Sequence, residues 1–281
     1  MNQRKVEKVM NPLRRKLVLA TWSAPSEGNI YGKLNLDTAR ASSYIAYLRQ
    51  KTGKKITITH FIGRAIAEAI KNTPAVNGFI RLGRFVPHDG VAISFLIALE
   101  NGANLANTKI ENAHSLTLEQ IADHLKDAAD RSRSGKDKDF EKSQGMLKIL
   151  PTWLIRPILW LTGWITSSLG FSAPAFGLSA FPFGTCMITS VGMLGLDEAF
   201  APHTPFARLP ILALIGAIKK QAVVIDDTIT IRPILTLTAT IDHRYIDGSQ
   251  AANLANTIRE AFQNPWILDG LNSPPEDWSQ E

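Results

Sequence analysis

The sequence predicts an α/β fold, and three observations carry that expectation. Residues 234–241 alternate bulky apolar side chains with Thr236, Thr238 and Thr240, the period-two, β-branched pattern of a half-buried strand. Directly downstream, Ala251, Leu254, Ile258 and Phe262 recur at three- and four-residue spacing, which places them on one face of a helix ending near Pro265. The rest of the chain divides into strand-like and helix-like stretches in the same way.

In chain order, a strand is expected over 30–36, then helices over 38–51 and 59–72, the second ending in the turn Pro74-Ala75-Val76-Asn77. Strands follow over 79–86 and 91–99, and a helix over 115–134. The longer helices have Ser or Thr near their starts, whose side chains accept from free amides at a helix N-terminus. Ser115 with Thr117-Leu118-Glu119 approximates a capping box, the acid falling four rather than three positions on. Further strands are expected over 187–191, 213–218, 221–224 and 228–239. Asp226-Asp227, between Val-Val-Ile and Thr-Ile-Thr-Ile, reads as a hairpin turn rather than a catalytic pair. The last helix spans 249–263.

No Gly/Ser- or Pro-rich linker and no internal repeat divides the 281 residues, so one domain over 1–281 is expected. Hydrophobic residues make up 45% of the chain, ample for a core. A single cysteine, Cys186, excludes an internal disulfide and fits a reducing compartment. Residues 1–15 are basic and lack the apolar stretch of a secretory signal, so a cytoplasmic protein is expected. The net charge of +6 is scattered, and no zinc spacing, helix-turn-helix punctuation or RNA-binding aromatic motif accompanies it, so nucleic acid is not expected as a partner. Basic clusters at 4–16 and 131–138 read as solvated surface, with phosphates of coenzyme A or of an anionic membrane as the functional alternative. His60, His88, His114, His124 and His203 stand far apart with no metal-ligand spacing, so no metal is expected.

Between the threonine-striped strand and the last helix lies Thr240-Ile241-Asp242-His243-Arg244-Tyr245-Ile246-Asp247-Gly248. An imidazole, a guanidinium and two carboxylates fall within six positions. On residues alone this is either a polar turn that starts a helix at Asp247-Gly248 or an active-site loop. An imidazole suits removal of a proton from an attacking thiol or hydroxyl near neutral pH. No Gly-x-Ser-x-Gly elbow presents a serine nucleophile, so a Ser-His-Asp triad is excluded.

The string resembles the Asp-His-Arg-x-x-Asp-Gly signature of the dihydrolipoamide acyltransferases, the E2 catalytic domains of 2-oxoacid dehydrogenase complexes, which share a fold with chloramphenicol acetyltransferase. Thr189-Ser190-Val191-Gly192-Met193-Leu194-Gly195 is similar to that family's Thr-Ile-Ser-Asn-Leu-Gly segment. Arg14-Arg15-Lys16, Lys33-Leu34-Asn35-Leu36-Asp37 and the Pro74 to Asn77 turn resemble its opening elements. The resemblance implies a two-layer sandwich with a mixed sheet, His243 as general base, and Asp247 as a support that accepts backbone amides or pairs with Arg14 or Arg15. It implies Thr189 as the donor to the oxyanion, with Ser190 beside it as a competitor. Asp242 and Arg244 are then positioning residues. It also implies a homotrimer, sites shared between neighbours, and direct transfer from acyl-coenzyme A or an acyl-carrier protein with no permanently bound cofactor. His203, in a Pro-bounded loop, is read either as a surface residue or as lining the substrate entrance.

Departures from the family shape the functional expectation. No lipoyl domain, no peripheral-subunit-binding domain and no Asp-Lys-Ala lipoylation hairpin is found, and 102–107 lacks the family's Gly-Leu and Pro-Val run. A stand-alone acyltransferase is therefore expected, on a substrate that includes lipid-related thioesters. The alternative is a non-catalytic trimeric scaffold or a core component of a 2-oxoacid dehydrogenase-type complex. The resemblance does not cover an apolar helical insert at about 136–182. Within 146–183 the only charges are Lys148 and Arg156, and Trp153, Trp160 and Trp164 recur. Pro151, Pro157 and Gly163 argue against an unbroken spanning helix. Three readings stand: packing against the core or another subunit, capping of an acyl-chain channel, or peripheral contact with the inner membrane.

Overall fold

A computed structural model describes residues 28–99, 104–133, 150–174 and 177–278. In chain order the elements are β1 (Asn29–Asp37), α1 (Ala39–Thr52), α2 (Ile58–Lys71), β2 (Gly78–Arg81), β3 (Arg84–Pro87), β4 (Ile93–Leu99), β5 (Asn104–Ile110), α3 (Leu118–Arg133), α4 (Thr152–Gly163), β6 (Cys186–Ser190), β7 (Ile211–Ile225), β8 (Thr228–Asp242) and α5 (Gly248–Gln263). Six strands form one mixed sheet in the order β1-β8-β7-β6-β4-β5, and β2 and β3 form a separate hairpin. The β4-β6 and β6-β7 pairs are parallel and the others antiparallel.

Alternation along the strands assigns their two faces. Phe95, Ile188, Ala213, Leu235 and Leu237 join Phe61, Ile62, Ile70, Leu254, Ile258 and Phe262 in one buried cluster between sheet and helices. On the opposite face Met187 and Leu212 pack with Ala207 and Leu209, so irregular chain rather than helix covers it. The threonine stripe of β8 faces that side. Thr238 Oγ1 donates to the Ala199 carbonyl, and Thr240 Oγ1 to the Ala201 carbonyl at 2.7 Å. The hydroxyls thus satisfy backbone acceptors of a segment that has no ladder of its own.

Several expectations are corrected by the geometry. The stretch 79–86 is two strands, because Leu82 and Gly83 at φ 48° and 78° reverse the chain. The segments 213–218 and 221–224 are one strand, β7, with an irregularity between Ile215 and Ile218. Asp226 and Asp227 make the expected two-residue turn, both at positive φ. The capping box of α3 is Thr117 with Gln120, not Ser115 with Glu119: the Gln120 amide donates to Thr117 Oγ1 and the Thr117 amide to Gln120 Oε1. Pro157 lies inside α4 without ending it, while Pro151 and Gly163 bound the helix. The chain then continues as a π-helical turn, Trp164–Ser168. The Pro74–Asn77 turn forms as expected, and Asn77 Oδ1 accepts from Thr185 Oγ1 at 2.6 Å, tying β2 to the start of β6. Arg14, Arg15, Lys142 and Lys148 lie outside the described residues.

Candidate active site

β8 delivers the charged loop by running out of ladder partners. Asn29 pairs with Asp242, the His243 amide donates to the Gly28 carbonyl at 2.8 Å, and the Asp242 amide to the Pro210 carbonyl at 3.0 Å. The chain then turns over Asp242 to Tyr245 and enters α5. The turn is anchored by apolar burial, since Tyr245 is buried against Phe85 and Ile246 lies in the core. His243 and Arg244 are left exposed between two fixed points.

Each polar group of the loop has a defined partner. His243 Nδ1 lies 2.8 Å from the Ile246 carbonyl oxygen. A carbonyl only accepts, so Nδ1 carries the proton and Nε2 keeps its lone pair. Arg244 forks onto Asp242, Nε at 3.0 Å from both carboxylate oxygens and Nη2 at 2.5 Å from Oδ2. Asp242 also accepts from the Arg244 amide at 3.0 Å, which closes the turn.

Asp247 is the N-cap of α5. Its Oδ1 accepts from the Ser249 amide at 2.8 Å, the Gln250 amide at 3.2 Å and the Ser249 hydroxyl at 2.8 Å, while Gln250 Oε1 accepts from the Asp247 amide at 2.7 Å. The Ser249 hydroxyl and these amides hold its carboxyl below the usual Asp range. Acceptance of backbone amides, one of the two expected roles, is therefore what the geometry shows. Gln250 and the Ile246 carbonyl were missed from sequence. Asp247-x-x-Gln250 is the capping-box spacing that signals the first, whereas no residue type signals a carbonyl.

His203 stands near the same loop. Burial lowers its proton affinity, while the Asp242 carboxylate and a hydrogen bond with the Thr240 backbone pull the other way. Thr189 and Ser190 end β6, both partly exposed. Register separates them from His243: Thr189 pairs with Leu214, which pairs with Thr238, five residues short of His243. At about 3.3 Å per residue and about 4.8 Å per strand, the two groups lie roughly 16 Å apart along the strands and about 10 Å across them. One chain does not bring them together. Among the described residues, no group of three or more His, Cys, Asp or Glu side chains is placed to hold a metal ion.

The pattern of the 2-oxoacid dehydrogenases acyltransferase catalytic domain matches residues 26–149 and 177–268. The unmatched stretch, 150–176, is narrower than the insert expected at 136–182. The chain is 28% identical over 221 residues to the dihydrolipoyllysine-residue acetyltransferase component of the acetoin cleaving system of Bacillus subtilis, covering 78% of this chain and 44% of that protein. It thus spans less than half the length of that relative. Among solved structures, a probable dihydrolipoamide acetyltransferase from Listeria monocytogenes superposes with a TM-score of 0.64 at 19% identity, covering 98% of this chain and 96% of that one. The Azotobacter vinelandii dihydrolipoamide acetyltransferase, studied for the roles of a serine, a histidine and an asparagine in its catalytic mechanism, gives 0.62 at 17% identity over 94% and 89%.

Proposed function

The chain belongs to the 2-oxoacid dehydrogenase acyltransferase family, and from that membership we propose that it is a stand-alone acyltransferase. It moves an acyl group from a thioester, coenzyme A- or carrier-bound, to a thiol or hydroxyl acceptor. The observation that carries this reading is the His243 tautomer, fixed by the Ile246 carbonyl with Nε2 left basic on an exposed loop. Nε2 takes the acceptor's proton as its sulfur or oxygen attacks the thioester carbonyl. Thr189 donates to the oxyanion of the tetrahedral intermediate, with Ser190 as the neighbouring alternative. Collapse expels the coenzyme A thiolate, which recovers the proton from the imidazolium. Asp247, Asp242 and Arg244 hold the loop in place. In the Azotobacter enzyme the asparagine follows the histidine by four positions, as Asp247 follows His243, and in both chains the hydroxyl residue precedes the histidine by a little over fifty.

The separation of Thr189 from His243 supports a homotrimer in which each site takes its histidine from one copy and its hydroxyl from the next. A cytoplasmic setting fits the single thiol, Cys186, which is buried and pushed up to about 12. A second reading, a core component of a 2-oxoacid dehydrogenase-type assembly, draws on the component role of the Bacillus relative. Turnover with free acceptors, against turnover only with dihydrolipoamide carriers, separates the two.

The test is complementation. His243→Ala and Thr189→Ala chains, each expected at least about a hundredfold slower in thiol release from acyl-coenzyme A, regain activity when unfolded and reassembled together. A mixture as inactive as its components overturns the shared site. A His243→Ala chain within a few fold of wild type overturns the mechanism.

A further inference from the structure

Residues 150–176 fall between the two stretches matched to the family, and the acyl-transfer geometry uses none of them. They hold an unusual surface. Ile155 and Gly163 of α4 are buried, while Trp153 and Trp160 are 75% and 58% exposed, and Phe171 beyond the π-helical turn is 63% exposed. A helix apolar around most of its circumference is ordinarily enclosed; this one is covered along a single line.

Specific contacts fix the orientation. A Cβ on Gly163 would stand 2.3 Å from the Phe206 carbonyl oxygen, so glycine allows α4 to lie directly on that backbone. Arg208 Nη1 donates to Ser168 Oγ at 2.8 Å, and its guanidinium lies 5.7 Å from the centre of the Trp160 ring. Arg81 Nη2 donates to the Leu169 carbonyl at 2.7 Å. This joins the insert to the β2–β3 turn, where Leu82 is 82% exposed between Arg81 and Arg84.

Charge chooses the occupant. Neither α4 nor the β2–β3 hairpin contains an Asp or Glu; Arg156 lies on α4, Arg81 and Arg84 flank the hairpin turn, and Arg81 and Arg208 bond the segment that follows α4. A second copy offering the same face would oppose arginine to arginine with no carboxylate to pair. A sheet of lipid phosphates matches both the cations and the exposed tryptophans. Among the described residues no helix is long and apolar enough to cross a membrane, so the contact is made by lying on the surface.

We propose that α4 and the β2–β3 turn dock this protein onto an anionic lipid surface, with Trp153, Trp160, Phe171 and Leu82 in the interface and the arginines among the phosphates. Flotation with phosphatidylcholine vesicles, and with equimolar phosphatidylcholine and phosphatidylglycerol vesicles, tests it. Wild-type protein floats with the anionic vesicles and is released by high salt. A Trp153→Ser, Trp160→Ser chain binds them at least about tenfold less, with unchanged acyl transfer and assembly size. Three results overturn the proposal: no binding to either vesicle, binding that the double variant leaves intact, or a double variant whose assembly size changes, which would make the face a protein contact.

Discussion

Asp247 carries two duties through one oxygen. Its Oδ1 receives the Ser249 and Gln250 amides and the Ser249 hydroxyl, and in doing so it fixes where α5 begins, five residues after His243. An asparagine offers the same acceptor geometry without the charge. Asp247→Asn is therefore expected to melt close to wild type and to retain most of its turnover. Asp247→Ala removes the cap, lowers Tm and lets the loop drift, with a fall in kcat of about tenfold or more. Melting curves beside steady-state rates check the pair; equal rates in the two variants would show that loop position does not depend on the cap.

At the scale of the element, α2 contains a titratable cap. The Thr57 amide donates to His60 Nδ1 at 3.2 Å, and burial, with a smaller push from Arg49, lowers the His60 pKa to about 4. The unfolded chain takes up that proton near pH 6.5 and the folded chain only near 4. The stabilisation is therefore complete above about pH 6.5 and is lost as pH falls towards 4. Its ceiling is about 3 to 4 kcal/mol, at about 1.4 kcal/mol per pH unit. His60→Gln completes a Thr-x-x-Gln capping box that does not titrate, so urea midpoints measured between pH 7 and 4 are expected to fall less steeply in that variant. The same scale shows what the sequence revealed. The helices and most sheet strands were legible because one face of each is buried, which imprints its period on the residues. β5 was not, because Asn104, Asn107 and Lys109 interrupt any apolar alternation on an edge strand held by β4 alone. The Leu82-Gly83 reversal was missed because leucine at positive φ has no compositional signal. For the candidate site, residue types drew attention to the 242–247 loop and the family resemblance singled out His243, Asp247 and Thr189, but neither carries the arrangement: strand register decides that His243 and Thr189 are apart.

At the scale of the whole molecule, the β7–β8 hairpin outruns the sheet. β1 pairs with β8 only back to Ile234, and six further rows, from Lys220 with Pro233 to Ile225 with Thr228, project about 20 Å. Directly paired residues share a face, so Val224, Ile229, Ala222 and Ile231 continue the apolar side that Leu235 and Leu237 present to the helices, here with no helix over it. Val224, Ile229 and Ile231 are accordingly exposed. A ribbon with free edges and an apolar face is a site for association with another chain. In the proposed homotrimer, Ile229→Lys with Ile231→Lys is expected to convert the assembly to monomers by light scattering and to abolish turnover, although His243 and Thr189 are intact. A variant that stays trimeric would place the subunit contact elsewhere.

In the proposed homotrimer, the distance between Thr189 and His243 also sets how the protein responds to a damaged copy of its own gene. With each site drawing one group from each of two neighbours, equal expression of wild-type and His243→Ala chains leaves about half of the sites working under random assembly. A chain lacking both groups leaves about a quarter, since both contributors to a site must then be sound. The same two losses therefore leave about a quarter of the sites whether they fall on one allele or on opposite alleles, whereas sites built within one chain would leave about half in the first case and none in the second.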